Sequence, residues 1–159
     1  IHPDTAAYIR RGYDLSVYDQ AVKRLQERGI ETVVHMILGL PGETPEMMAQ
    51  TARYIGDSGV QGIKLQLLHV LKGTDLEKDY CAGKFEVLSP EDYIAVLEEC
   101  IRNLPPDMVI HRLTGDGAKR SLVAPLWSAD KKRVLHAINQ AFARDGLIQG
   151  SKYHAAADG

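Results

Sequence analysis

The sequence predicts an α/β domain in which parallel strands alternate with helices. Three observations lead there. Short apolar, β-branched runs recur at 30–38, 60–71 and 107–115, the pattern of strands covered on both faces. Amphipathic segments with helix-start signals lie between them. Strands joined through helices form right-handed crossovers, which set them parallel.

Each element has its own reason. Pro3, Asp4 and Thr5 open a short helix that ends before Gly12. A longer one follows in DLSVYDQAVKRLQERG, residues 14–29, where Val17, Ala21, Val22 and Leu25 recur at helical spacing and Gly29 closes it. The first strand is IETVVHMIL. After a Gly-Leu-Pro-Gly corner at 39–42, Thr44 is the N-cap and Pro45 the first residue of a helix running to Gly56 or Gly59. VQGIKLQLLHVL is the second strand, and residues 72–88 read as a loop with one helical turn. Ser89 and Pro90 start the next helix, DMVIHRLTG is the third strand, and a last helix runs from a Ser128 or Asp130 cap to Gly146. The tail, 147–159, has weak periodicity and is expected to be mobile. The boundary is therefore drawn between a core at 1–145 and a tail at 146–159.

Composition narrows the function classes. At 159 residues, 45% hydrophobic and 25% charged, the chain reads as one globular domain. A formal charge of −2 gives no global attraction to nucleic acid. No apolar run approaches the ~20 residues of a membrane span and no signal-peptide pattern is visible, so a cytoplasmic location is expected. Cys81 and Cys100 fit no zinc or cluster spacing and read as reduced thiols, so no metal ligands are assigned to this chain. The sequence begins in mid-pattern, which suggests a piece of a longer protein. Three strands are half of a barrel, and the first has an unpaired edge, open to an edge-to-edge dimer.

The corner at 39–44 falls where ligands collect in parallel α/β folds, at a strand's carboxyl end before a helix N-terminus. It is no P-loop, because no Lys-Ser or Lys-Thr follows the second glycine, and it lacks a third glycine at dinucleotide-binding spacing. Glu43 also puts an anion where a phosphate has to come. On spacing alone a ligand corner and a plain strand-to-helix turn both remain open.

HMILGLPGET, preceded by IRRGYDLSVYDQAVKRLQERGI and followed by VLKGTDL, resembles the radical S-adenosylmethionine (SAM) enzymes. The resemblance is nearest the branch of Elp3-like proteins and oxygen-independent coproporphyrinogen oxidases, and within it an uncharacterised bacterial group of Fe-S oxidoreductases. HRLTGDG and APLWSADKKRVL fit that group as well, so the likeness covers residues 1 to about 145. It implies the C-terminal half of a partial six-stranded (β/α) TIM-like barrel. It also implies a parent enzyme that binds SAM and a [4Fe–4S] cluster and generates a deoxyadenosyl radical. The family's Cys-x-x-x-Cys-x-x-Cys triplet and the glycine-rich element of its second strand are absent, and belong upstream of Ile1. This chain alone is therefore expected to retain neither the cluster nor SAM and not to cleave SAM, and its first partner is the missing N-terminal half.

The resemblance also assigns residues. Arg11 corresponds to an arginine contacting SAM near its carboxylate or ribose, where a guanidinium fork suits an anion; a solvated arginine beside Arg10 is the plain alternative. His35 corresponds to a polar residue reaching the ribose hydroxyls, against the alternative of a satisfied core histidine. Ile37, on the same face, presses on adenine or simply fills the core. Gly39, Leu40, Pro41 and Gly42 carry the backbone past adenine, and Glu43 fixes the loop or a helix N-terminus. No catalytic side chain is visible, because the cofactor supplies the chemistry. His69, Lys72, His111, Arg112 and Asp116 follow the second and third strands towards the barrel mouth and are candidates for substrate contact, or solvated loop charges. The basic start of the last helix, Lys131, Lys132 and Arg133, makes RNA a candidate substrate, against a solvated face. Two rival readings stand: a stand-alone nucleotide- or small-ligand-binding domain without redox chemistry, and an interaction module using the open edge.

Overall fold

The structure, a computed structural model, describes residues 1–115 and 120–154. Helices α1 (Pro3–Tyr8) and α2 (Leu15–Gln26) precede β1 (Val33–Leu38). Then come α3 (Pro45–Asp57), β2 (Gly62–Leu67), β3 (Val70–Leu71), α4 (Asp75–Cys81), α5 (Pro90–Arg102) and β4 (Val109–Arg112). β5 (Leu122–Ala124), a 3-10 turn (Leu126–Ala129) and α6 (Lys131–Arg144) complete the order.

β1, β2 and β4 form a parallel sheet in that order, as expected, with β2 central and β1 at an open edge. Alternation then sorts the side chains. Met36 and Leu38 of β1 and Ile63, Leu65 and Leu67 of β2 point to one face and are buried. Against them α3 brings Met48, Ala52 and Ile55, α5 brings Tyr93, Val96, Leu97, Cys100 and Ile101, and α6 brings Val134 and Ile138. These recur at the three- and four-residue spacing of a helix face. Burying one such Leu or Ile contributes roughly 1.5–3 kcal/mol. No helix among the described residues is long and apolar enough to cross a membrane.

The helix starts are those the sequence predicts. Thr44 Oγ1 accepts from Met47 N (3.3 Å), Ser89 Oγ from Asp92 N (3.0 Å) and Asp130 Oδ1 from Arg133 N (3.1 Å). Each satisfies an orphan N–H, a contribution of about 1 kcal/mol.

The structure corrects four expectations. The sheet is not covered on both faces: helices pack on one, and the other leaves Val33, Ile37 and Val109 at 37, 41 and 55% exposure. The second apolar run is not one strand. It breaks at Leu68-His69, and β3 pairs antiparallel with β5, a two-stranded unit apart from the main sheet. Two-residue strands carry too little pattern to be seen without their partners. The loop after it holds a seven-residue helix, α4, capped by Thr74, rather than one turn. Finally, the tail is held in place as far as Tyr153: Gln149 Nε2 donates to Pro105 O (2.7 Å) and Met108 O (2.8 Å), Lys152 N to Arg102 O (2.8 Å), and Tyr153 OH to Asp57 (2.9 Å).

Candidate functional site

The uncovered face of the sheet gathers the polar residues. Register aligns His35 on β1 with Lys64 on β2, and Ile37 with Gln66. Between β2 and β4 the register slips after Ile63, so that Ile63 pairs with Ile110 and Lys64 with Arg112. His111 is the extra residue of this bulge. Such an insertion lets consecutive side chains turn to one face. His111 lies over Gly62, where an added Cβ would stand 2.7 Å from its Nε2, while Arg112 lines the groove further along.

That groove, about 410 Å³, runs along the carboxyl ends of the strands and is lined by His35, Ile37, Gln66, His69, Arg112 and Gly115. His35 Nδ1 lies 2.8 Å from Gln66 Nε2. An amide N–H can only donate, so Nδ1 accepts, and a neutral ring carries its proton on Nε2. His69 rests on the backbone of Gly115 and its Nε2 lies 3.2 Å from Ser128 Oγ. Lys72 is exposed, its backbone N–H donating to Ser121 O (2.8 Å), so its position is set by β5 rather than by the groove. Asp116 lies outside the described residues.

The corner is a tight turn. Glu43 N donates to Leu40 O (3.1 Å), with Pro41 and Gly42 at its centre and Gly42 at φ +82°. Pro second and a positive-φ glycine third are what a type II turn requires. Gly39, also at φ +82°, is buried, and an added Cβ would stand 3.0 Å from Leu88 Cδ1. Both glycines thus have a structural reason independent of any ligand. Leu88 is itself held from behind, since Trp127 Nε1 donates to its carbonyl (3.1 Å).

A second cavity, about 300 Å³, opens beside the free edge of β1 and brings Arg11, Leu40 and Glu43 together with His35 and Ile37. Arg11 is half-buried, its Nε donating to Tyr13 O (3.0 Å) and its guanidinium 5.0 Å from the Tyr13 ring centre. It is positioned by the preceding residue, Arg10, which takes φ +56° and pairs with Asp75 of α4, while Tyr8 OH donates to Asp79 (2.9 Å). Burial pushes the Glu43 carboxyl up, opposed by His2, the chain's amino group and the Thr5 hydroxyl. Glu43 therefore ties the corner to the start of α1.

Of the predicted residues, His35, Ile37, His69 and Arg112 share the groove, and His111 lies lower on the same face. Arg11, Leu40 and Glu43 line the adjoining cavity; Gly39 is packed away from it. Sequence reasoning missed Gln66 and Lys64. Their signal was present in GIKLQL, whose strict alternation separates Gly62, Lys64 and Gln66 from Ile63, Leu65 and Leu67, but a reading of the run as buried throughout hid it. Among the described residues no group of three His, Cys, Asp or Glu side chains is placed to hold a metal ion, and Cys81 is exposed while Cys100 is buried.

Known proteins resemble this chain in sequence and in fold. Residues 1–55 match the radical SAM superfamily and residues 60–144 the Radical_SAM C-terminal domain. The chain is 43% identical over 150 residues to the uncharacterized protein YtqA of Bacillus subtilis, covering 94% of this chain and 47% of YtqA. It is 33% identical over 150 residues to protein YhcC of Escherichia coli K12, covering 94% and 48%. It thus spans about half the length of these relatives. A more distant relative, the tRNA uridine(34) acetyltransferase of Dehalococcoides mccartyi, is 27% identical over 120 residues, 71% of this chain and 25% of its own. The structure of the Methanocaldococcus infernus Elp3 with an N-terminal deletion superposes with a TM-score of 0.79 at 20% identity, over 94% of this chain and 35% of that one. With its parallel strands, one-sided helices and open inner face, the fold is that of a partial TIM-like barrel like that of Elp3, and the chain belongs to the radical SAM superfamily.

Proposed function

We propose that this chain forms the C-terminal arc of a radical SAM enzyme, and that its inner sheet face lines the SAM pocket on the β1 side and the substrate cavity on the β2–β4 side. The observation that carries the reading is the convergence of His35, Gln66, His69 and Arg112 in one groove beside the exposed Ile37. The residues fit an adenosyl group. Ile37 offers an apolar side chain to the base, and the His35 Nε2–H, its tautomer set by Gln66, offers a donor to a ribose hydroxyl. Arg11, steadied by Tyr13, offers a guanidinium to a carboxylate. When bound, the cluster and SAM supply the electron and the hydrogen-abstracting radical. The cluster's ligands come from an upstream segment. This chain's part is to orient the adenosyl group, keep water from it and present the substrate. We take the substrate to be RNA, supported by the exposed Lys132 and Arg133 at the start of α6 and by the name of the D. mccartyi relative.

The test uses the full-length protein, anaerobically reconstituted with iron and sulfide. Arg11→Ala should weaken SAM binding by roughly 10- to 100-fold, the loss expected of a hydrogen bond to a charged group. His35→Ala should weaken it less, by a few-fold. Release of 5′-deoxyadenosine under reductant should fall in step. Unchanged SAM affinity in both variants refutes the placement of the cofactor on this face.

A further inference from the structure

The described strands of the inner face carry basic side chains and no acidic ones. β1, β2 and β4 contain no Asp or Glu, yet they hold His35, Lys64, His111 and Arg112. Lys64 is at the centre. It lies on the middle strand, half-buried, beside His35 on one side and Arg112 on the other, while its chain neighbours Ile63 and Leu65 are wholly buried on the opposite face. Among the described residues no carboxylate forms an ion pair with it. Arg112 has an interaction of its own.

A half-buried ammonium in a central strand, beside the Arg112 guanidinium, gives up part of its hydration. An apolar residue of the same length serves the sheet better. The β-bulge adds to the cost, because it brings His111 and Arg112 to the face that regular alternation would give to only one of them. Gly62 leaves the room His111 needs. Three features therefore gather basic, hydrogen-bonding side chains at one place, and none of them helps the fold.

Building on the radical SAM reading, we propose that Lys64, flanked by His35, His111 and Arg112, binds an anionic group of the substrate, a carboxylate or a phosphate. An ammonium is a point charge that accepts either. The position is separate from Arg11, which stands at the opposite edge of β1, so the cofactor's own carboxylate is met elsewhere.

The probes are inorganic phosphate and acetate, titrated at constant pH into the chain while its six histidine rings are followed by proton–nitrogen NMR. The His35 and His111 signals should move and saturate, with His136 and His154 as unmoved controls. The stronger of the two anions identifies the group, and Lys64→Met should weaken its binding about tenfold or more. Lys64→Arg should retain it, and Lys23→Met on α2 should change nothing. Where Lys64→Met fails to fold, Lys64→Gln takes its place. Static His35 and His111 signals with both anions, or a Lys64→Met variant that titrates like the wild type, overturn the proposal. So does a parallel loss of S-adenosylhomocysteine binding when Lys64→Met is made in the full-length protein, which would make the anion the cofactor's. Full-length wild-type protein that binds phosphate but no S-adenosylhomocysteine refutes the cofactor placement instead, and the anion result stands by itself.

Discussion

Gly39 and Gly42 share a φ of +82° but not their surroundings, and substituting each by Ala separates backbone strain from packing. An added methyl at Gly42 meets nothing within 4 Å, whereas at Gly39 it stands 3.0 Å from Leu88 Cδ1 and 3.2 Å from Cγ. Both substitutions incur the left-handed backbone penalty of about 1–2 kcal/mol. Gly39→Ala adds a steric cost, because Leu88 must give way by a few tenths of an ångström in a packed setting, typically about 1–3 kcal/mol. Its freedom to move is limited, since Trp127 holds the Leu88 carbonyl and the Tyr93 ring lies 5.8 Å from that of Trp127. Gly39→Ala should therefore unfold in urea with about 1–3 kcal/mol less stability than Gly42→Ala, a difference of roughly 2–12 °C in Tm for a chain of this size. Combining Gly39→Ala with Leu88→Ala should erase that excess in a double-mutant cycle. Equal losses at the two glycines, or strict additivity with Leu88→Ala, would refute the claim that Gly39 is required by its contact.

Three further predictions concern ionisable and polar groups. Cys100 is fully buried and burial pushes its thiol up to about 12, while Cys81 is exposed; native protein should react with one equivalent of a thiol reagent quickly, and with the second only on unfolding. Burial raises the Glu43 carboxyl in the folded state, so its ionised form opposes folding. The contribution is favourable below the unfolded carboxyl pKa and is lost as pH rises through the folded one. Glu43→Gln should thus gain stability relative to wild type near pH 7 and show no such gain near pH 4, as read by urea midpoints; a constant difference across that range would contradict it. Gln66→Leu removes the donor to His35 Nδ1, so the imidazole nitrogen shifts should move from a single tautomer towards a mixture, with the fold unchanged by circular dichroism.

Much of the architecture was legible because local chemistry decides it. Thr44-Pro45 and Ser89-Pro90 are helix starts wherever they occur before an amphipathic run, and both cap as expected. Leu40-Pro41-Gly42-Glu43 dictates its own turn. Apolar runs separated by helices imply parallel strands, and β1, β2 and β4 are parallel.

Which face stays open was not legible. In VVHMIL apolar residues fall at both parities, so Val33 and Ile37 look like core although they lie on the uncovered side. Hydrophobicity reports what can be buried, and only the placement of the helices settles what is. The small β3–β5 pair, the contact between His35 and Gln66 across 31 residues, and the bulge that turns His111 and Arg112 to one face have no local cause. Each depends on strand register, which is set by how three strands and their helices pack together. Sequence alone thus determined the elements and their order, through interactions within a few residues. The site, a single face assembled from β1, β2 and β4, exists only in the tertiary structure, because register is a relation between segments that no segment encodes by itself.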